Sequence, residues 1–143
     1  VVAEIVQVAE AVKESLNAAS FSQPVNAERK YLPLFDLKDM KDLHVTVVPR
    51  GVAVSTLGRN RNQYDYQVDV AVQKKLADEG PLEVDPLMSL VEEIADHFRL
   101  KRLAGYPEAC WTRTRNEPVY DPEHMNELRQ FTSVLTFTFK AAR

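Results

Sequence analysis

Hydrophobic and polar residues alternate most regularly at residues 63–75, QYDYQVDVAVQKK. Tyr64, Tyr66, Val68, Val70 and Val72 take every second position, and Asp65, Gln67, Asp69, Ala71 and Gln73 fill the places between. A period of two puts the first set on one face of a β-strand and the second on the other. The tyrosine–valine row is expected to be half of a core, and the acidic–amide row a polar strand face open to water or to another subunit. Upstream, LHVTVV (43–48) is short and β-branched and runs into Pro49-Arg50-Gly51. VAVSTL (52–57) continues it after a bend, and GRNRN (58–62) is rich in turn formers. Residues 43–57 and 63–75 therefore predict a long antiparallel hairpin with a basic tip.

Two segments carry the helical period instead. Near the N-terminus, Ile5, Val8, Ala9, Val12 and Leu16 form one stripe, while Glu4, Glu10, Lys13 and Glu14 lie off it. Asp85 suits an N-cap and Pro86 a first helical position, ahead of the stripe Leu87, Leu90, Val91, Ile94 and Phe98. Glu92, Glu93 and Asp96 are expected to face water, the basic Arg99, Lys101 and Arg102 to complement the helix C-terminus, and Gly105 and Pro107 to close it. Between the hairpin and the first helix, 25–32 alternates loosely through Val25, Ala27, Arg29 and Tyr31 and predicts a strand; DLKDMKD (36–42) predicts a solvated loop or a single helical turn. After the second helix, ACWTRTR (109–115) and RQFTSVLTFTF (129–139) predict two more strands. Between them lies an excursion in which Asp121 and Pro122 cap a short turn. Strands in runs, helices at intervals and no βαβ repeat indicate an α+β fold: a mainly antiparallel sheet with two helices packed on one face, expected as a single domain over 1–143.

Composition narrows the function. The chain has 143 residues, a net charge of −3 and one cysteine, Cys110. A basic excess suited to coating nucleic acid is missing, and so are a disulfide framework and a cysteine-rich zinc site. The N-terminal segment lacks the basic start and apolar run of a signal peptide, and no apolar stretch reaches membrane-spanning length, so a soluble intracellular protein is expected. Catalytic chemistry has one candidate. Asp69, Gln73 and Lys75 echo the acid and acid-x-Lys set of metal-dependent nucleases, with glutamine in an acidic place. Residues four apart on a strand are separated by roughly 13 Å, too far for one ion to bridge, which favours a polar strand surface. His44, His97 and His124 have no partner at helical zinc spacing; His97, beside Phe98, is expected to be half-buried and structural. Cys110, beside Trp111 with no nearby base, is expected to be packed rather than nucleophilic, and the glycines form no phosphate-cradling cluster. Neither an enzyme nor a cofactor is expected. Arg50, Arg59 and Arg61 near the hairpin tip, with Arg113 and Arg115 on a strand, have no aromatic partners to stack bases, which favours ordinary loop solvation; the sharper reading is a charge-complementary contact with a neighbouring subunit or passing DNA.

The order of elements resembles that of the small tail-completion and tail-terminator (neck) proteins of tailed bacteriophages. VAEIVQVAEAVKESLN leads into FSQPVNAERKYLP, then LHVTVVPRG, QYDYQVDVAVQKK, DPLMSLVEEIADHFR and RQFTSVLTFTF, together covering most of the chain. The resemblance implies a structural virion protein, assembled in the host cytoplasm. It would form a ring, typically of six copies, that ends the tail tube and docks to the head connector. Its partners would be itself, the tail tube protein, connector or neck proteins, and transiently the DNA in the lumen, with no membrane. A head-closure or joining protein and a minor tail or tube subunit are the neighbouring roles. The expected contact residues are Arg50, Arg59, Asn60, Arg61 and Asn62 around the tip, Asp65 and Asp69 on the polar strand face, and Arg113 and Arg115. Tyr120 and His124, in the excursion 116–127, complete the set.

Overall fold

The computed structural model describes residues 2–31, 42–77, 81–117, 119–123 and 129–143. Its elements run α1 (Glu4–Ala18), β1 (Ala27–Arg29), β2 (His44–Thr56), β3 (Asn62–Lys75), α2 (Pro81–Phe98), β4 (Cys110–Arg115) and β5 (Gln130–Ala142). The strands form one five-stranded sheet in the order β1-β2-β3-β5-β4. Only the β1–β2 pairing is parallel. Both helices lie on one face, α1 over β1 to β3 and α2 over β5. The α+β fold expected from the sequence is the observed one. The loop proposed at 36–42 falls outside the described residues, apart from Asp42.

The core is where the alternating rows meet the helical stripes. Tyr66, Val68, Val70 and Val72 are buried, as are Val8, Ala9, Val12 and Leu16 of α1 and all five predicted stripe residues of α2. β5 contributes Phe131, Leu135, Phe137 and Phe139, none of them accessible to solvent. Phe98 closes the middle, with its ring centroid 4.8 Å from that of Phe137 in an edge-on arrangement, a geometry favoured by the ring quadrupoles.

Several boundaries differ from expectation. Helix α2 starts at Pro81, a turn ahead of Asp85, so Asp85 is not its N-cap and Pro86 lies inside it. Leu82 in the added turn is 97% exposed. Val84 in the same turn packs, half-buried, against the core, and the turn is tied down by Glu83, whose carboxylate accepts the N–H of Ala77 at 3.0 Å. As the sixth helical residue, Pro86 offers no N–H to the Leu82 carbonyl, so one backbone bond of the early helix is missing there. The helix ends at Phe98, and Leu100, not a glycine, adopts the left-handed conformation, at φ 58°. Glu93 does not simply face water: it accepts the N–H and the hydroxyl of Ser22 at 3.0 and 2.5 Å, pinning the chain ahead of β1 to α2. β1 is shorter than the predicted 25–32 and is held on its outer side by an α1 side chain. Asn17 accepts the N–H of Ala27 at 2.7 Å and donates to the Ala27 carbonyl at 3.2 Å. Arg29 in β1 also pairs with Glu10 of α1 at 2.5 Å; the bond to Arg29, followed by that to Lys13, holds the Glu10 carboxyl below its usual range.

Gly105 serves closer packing than helix termination. A Cβ added there would lie 3.1 Å from the Ala11 Cβ and 3.3 Å from the Ala11 Cα. A side chain at this point would therefore force the turn after α2 and α1 slightly apart, and a branched one more so. Gly105→Val should destabilise the fold by about 1–3 kcal/mol, read as a lower urea midpoint, whereas Gly51→Ala, whose nearest neighbour is the flexible end of Gln67 at 3.7 Å, should change it little.

His97 joins the two helices as expected of a half-buried structural histidine. Its Nε2 lies 2.8 Å from the Ser15 hydroxyl, and its ring meets Phe21 edge-on at 5.6 Å. Burial, and secondarily the nearby Lys101, lower its pKa from 6.5. With the native pKa below the unfolded one, the unfolded chain binds the proton first. The stabilisation is therefore complete above about pH 6.5 and is lost as the pH falls through the native value. His97→Gln should flatten this part of the stability–pH profile, measured by urea unfolding between pH 8 and 5; a wild-type profile no steeper than the variant's would contradict the assignment.

Candidate assembly surface

The second face of the sheet carries neither of the two described helices. At one end it is closed: Gln73 is 5% exposed, and Ala71, Thr46 and Thr132 are also buried. His44 and Thr132 stand directly opposite Gln73 on the two flanking strands. The expected continuous wet row therefore stops at Ala71. From Asp69 outward the face opens into a shallow concavity lined by Arg50, Gln67, Arg113, Arg115, Glu117 and Thr136, among others.

Two β-bulges aim the arginines into it. The β2–β3 register slips between Pro49 and Gly51, and the β4–β5 register slips between Trp111 and Arg113. A bulge bends its strand and redirects the side chain beside it. Arg50 is the extra residue of the first bulge, so it belongs to mid-strand and not to the hairpin tip. Its guanidinium donates to the Thr136 hydroxyl at 3.0 Å and lies 3.4 Å from Asp69 Oδ1, while Thr136 donates to the same Asp69 oxygen at 2.7 Å. Arg113 and Arg115 stand opposite Thr138 and Thr136 of β5 and so share this face; Arg115 pairs with Glu117 at 3.2 Å. Asp65 is paired in register with Lys140 and accepts from Gln63 at 3.2 Å. Asp69 is thus committed to Arg50 and Thr136, Gln73 is buried, and Lys75 lies at the exposed far end of the strand. Among the described residues no three His, Cys, Asp or Glu side chains gather where they could hold a metal ion. Cys110 is half-buried, more open than expected.

Beyond the β2 bulge the hairpin, here called the arm, runs on past the helices, with β3 still paired to β5 as far as Gln63 with Ala142 and β2 on its outer side. The described β1 pairs with β2 only at Val45–Val47, so β2 from Val48 outward has no described strand on its outer edge. Residues 52–62 are all exposed. Val52 and Val54, opposite Tyr66 and Tyr64, are 46% and 56% exposed on the helix side, and Leu57 is 52% exposed at the turn. Arg59, Asn60, Arg61 and Asn62 form the tip. It is closed by the bond from Leu57 N–H to the Arg61 carbonyl and by reciprocal bonds between Asn62 and Arg143. The arm's root is firm. Arg143 lies 4.2 Å above the Tyr64 ring and 3.7 Å from Glu4, and the Tyr106 hydroxyl donates to the same Glu4 side chain. Burial and that bond push the Tyr106 pKa up.

The structure therefore brings together Arg50, Asp69, Arg113 and Arg115, with Asp65 beside them. The tip residues 59–62 and Tyr120, 39% exposed in the excursion, lie elsewhere, and His124 lies outside the described residues. Sequence reasoning missed Thr136, Lys140 and Glu117 on the face, and the apolar row of the arm. The alternation Val52–Val54 was the available signal for that row, lacking only the knowledge that the helices stop short of it. No described helix is long and apolar enough to cross a membrane.

Chains of two solved particle structures share this fold. One is a chain of the native gene transfer agent virion: TM-score 0.63, 13% identity, with 95% of this chain and 95% of that chain covered. Another comes from the sheath/tube terminator of an extracellular contractile injection system, PVC, in its extended state: TM-score 0.52, 17% identity, with all of this chain covered. The present chain spans 58% of that one's length. No family model matches the chain, and no curated protein matches it in sequence.

Proposed function

We propose that the chain is a structural protein of a phage-like tail, and within the tail the terminator: a ring, six-membered by the family pattern, that ends the tube and joins it to the head connector. The observation that carries this reading is the end-to-end correspondence of fold with a virion chain, 95% of each covered. The described terminator from an injection system supports the narrower role. The surface fits such work. A protein that acts by assembly needs an accessible edge and exposed apolar side chains, and both occur in the arm: beyond Val47 no described strand pairs with the outer side of β2, and Val52, Val54 and Leu57 are exposed. Left uncovered, an edge with exposed valines invites uncontrolled strand pairing; a closed ring covers it in a defined way.

In this reading the arm contacts a neighbouring copy or the tube, the charged sheet face makes polar contacts, and DNA passes the ring without being read. The partners are the protein's own copies, the tail tube protein and the connector or neck proteins. The place of action is the tail or neck of the virion, assembled in the host cytoplasm, and neither cofactor nor catalysis enters. Removing the coding sequence from the particle's gene cluster should leave tubes of irregular, excessive length and heads without tails. Tubes of normal length attached to heads would count against the terminator role.

A further inference from the structure

The two outer surfaces of the molecule carry opposite charge. On the sheet side stand Arg50, Arg113, Arg115 and Lys140. Asp69 is paired to Arg50 and Glu117 to Arg115, and Asp65 stands opposite Lys140, while Arg113 has no ion-pair partner among the described residues, which leaves the face a small basic excess. On the helix side, α2 presents Asp85, Ser89, Glu92 and Asp96 to solvent, a row at intervals of four, three and four residues that keeps to one helical face. None of these three acids makes an ion pair among the described residues. The helices cover one face of the sheet and the arginines occupy the other, so the basic and acidic surfaces of one molecule are on opposite sides and cannot meet each other. They can meet across two molecules.

We propose that the arginine face of β4 and β5 docks on the acidic outer row of α2 of a second copy, and that this contact is one joint of the ring. The inference rests on the ring reading above and specifies its interface. Spacing supports it: Arg113 and Arg115 are separated by about 7 Å along their strand, and Glu92 and Asp96 by about 6 Å along the helix axis. Two guanidinium–carboxylate pairs can therefore form side by side, a pairing that arginine's planar fork favours. A contact between two different faces is heterologous, the type that generates rings when its rotation closes. Arg113, with no carboxylate partner among the described residues, needs to give up no described bridge, and the Arg115–Glu117 pair, both side chains 73% exposed, is weak enough to exchange.

Charge reversal tests this by native mass spectrometry and sedimentation of the full chain. Arg113→Glu with Arg115→Glu should weaken self-association about a hundredfold, and Glu92→Arg with Asp96→Arg should do the same. The four changes together should restore association to within about tenfold of wild type. All the altered side chains lie at the surface, and unchanged monomer melting and circular dichroism verify folding. Added salt should weaken the wild-type assembly. If wild type forms rings and either reversal leaves them unaffected, or the combined variant is no better than the single reversals, this joint is overturned while the ring reading stands. If the arginine reversal spares the ring and instead removes binding of a duplex DNA probe, the face belongs to nucleic acid and the joint is likewise overturned. A wild-type chain that stays monomeric, alone and with tail tubes, overturns both.

Discussion

Phe137→Ala should cost about 3–5 kcal/mol of stability, a large part of the roughly 5–15 kcal/mol that holds an ordinary domain folded. Phe137 is inaccessible to solvent and touches the sheet–helix contact at its centre, edge-on to Phe98 and 6.3 Å from Phe139. Truncation removes the buried ring and leaves a hole that the sheet backbone is too constrained to close. The neighbouring Thr136 faces the opposite side of the same strand, where its hydroxyl accepts from Arg50 and donates to Asp69; with no ring or cavity at stake, Thr136→Ala should cost only about 1–2 kcal/mol. Urea unfolding of the two variants side by side measures the difference. Equal losses would mean that the two faces of β5 are not core and surface.

The second large effect concerns the arm. Val52→Glu, Val54→Glu and Leu57→Ser together should leave the monomer's stability within about 0.5 kcal/mol per site, because all three side chains are exposed. Assembly should nevertheless fall by a hundredfold or more. Each apolar side chain buried in a contact is worth about 1.5–3 kcal/mol, and a carboxylate at two of the sites adds a desolvation cost. Sedimentation of the variant alone and pelleting with tail tubes read the two possible contacts separately. Undiminished assembly in both would remove the arm from the account.

Much of this fold was legible because its strongest patterns are local. The row from Tyr66 to Val72 and the stripes from Val8 to Leu16 and from Leu87 to Phe98 are each set by one period within one element, and all are buried where that period puts them. The start of α2 was not legible, since Asp85–Pro86 is a good local start signal that an additional turn, tied by Glu83 to Ala77, overrides. The parallel pairing of β1 is supported by Asn17, ten positions before Ala27, and nothing local in the sequence marks that bond. The candidate surface was the least legible part. Arg50 is separated from Arg113 by more than sixty positions, and it meets Arg113 and Arg115 because β4 pairs with β5, β5 with β3, and two bulges turn the side chains to one face. Single residues in the sequence carry charge; register decides which charges become neighbours.

Assembly is the claim on which the functional reading depends, and negative-stain imaging of the purified chain tests it most directly, alone and mixed with tail tubes of its own particle. The account predicts closed rings of one size, six copies by native mass, seated at the tube end. Monomers under both conditions, or open filaments in place of rings, would contradict it.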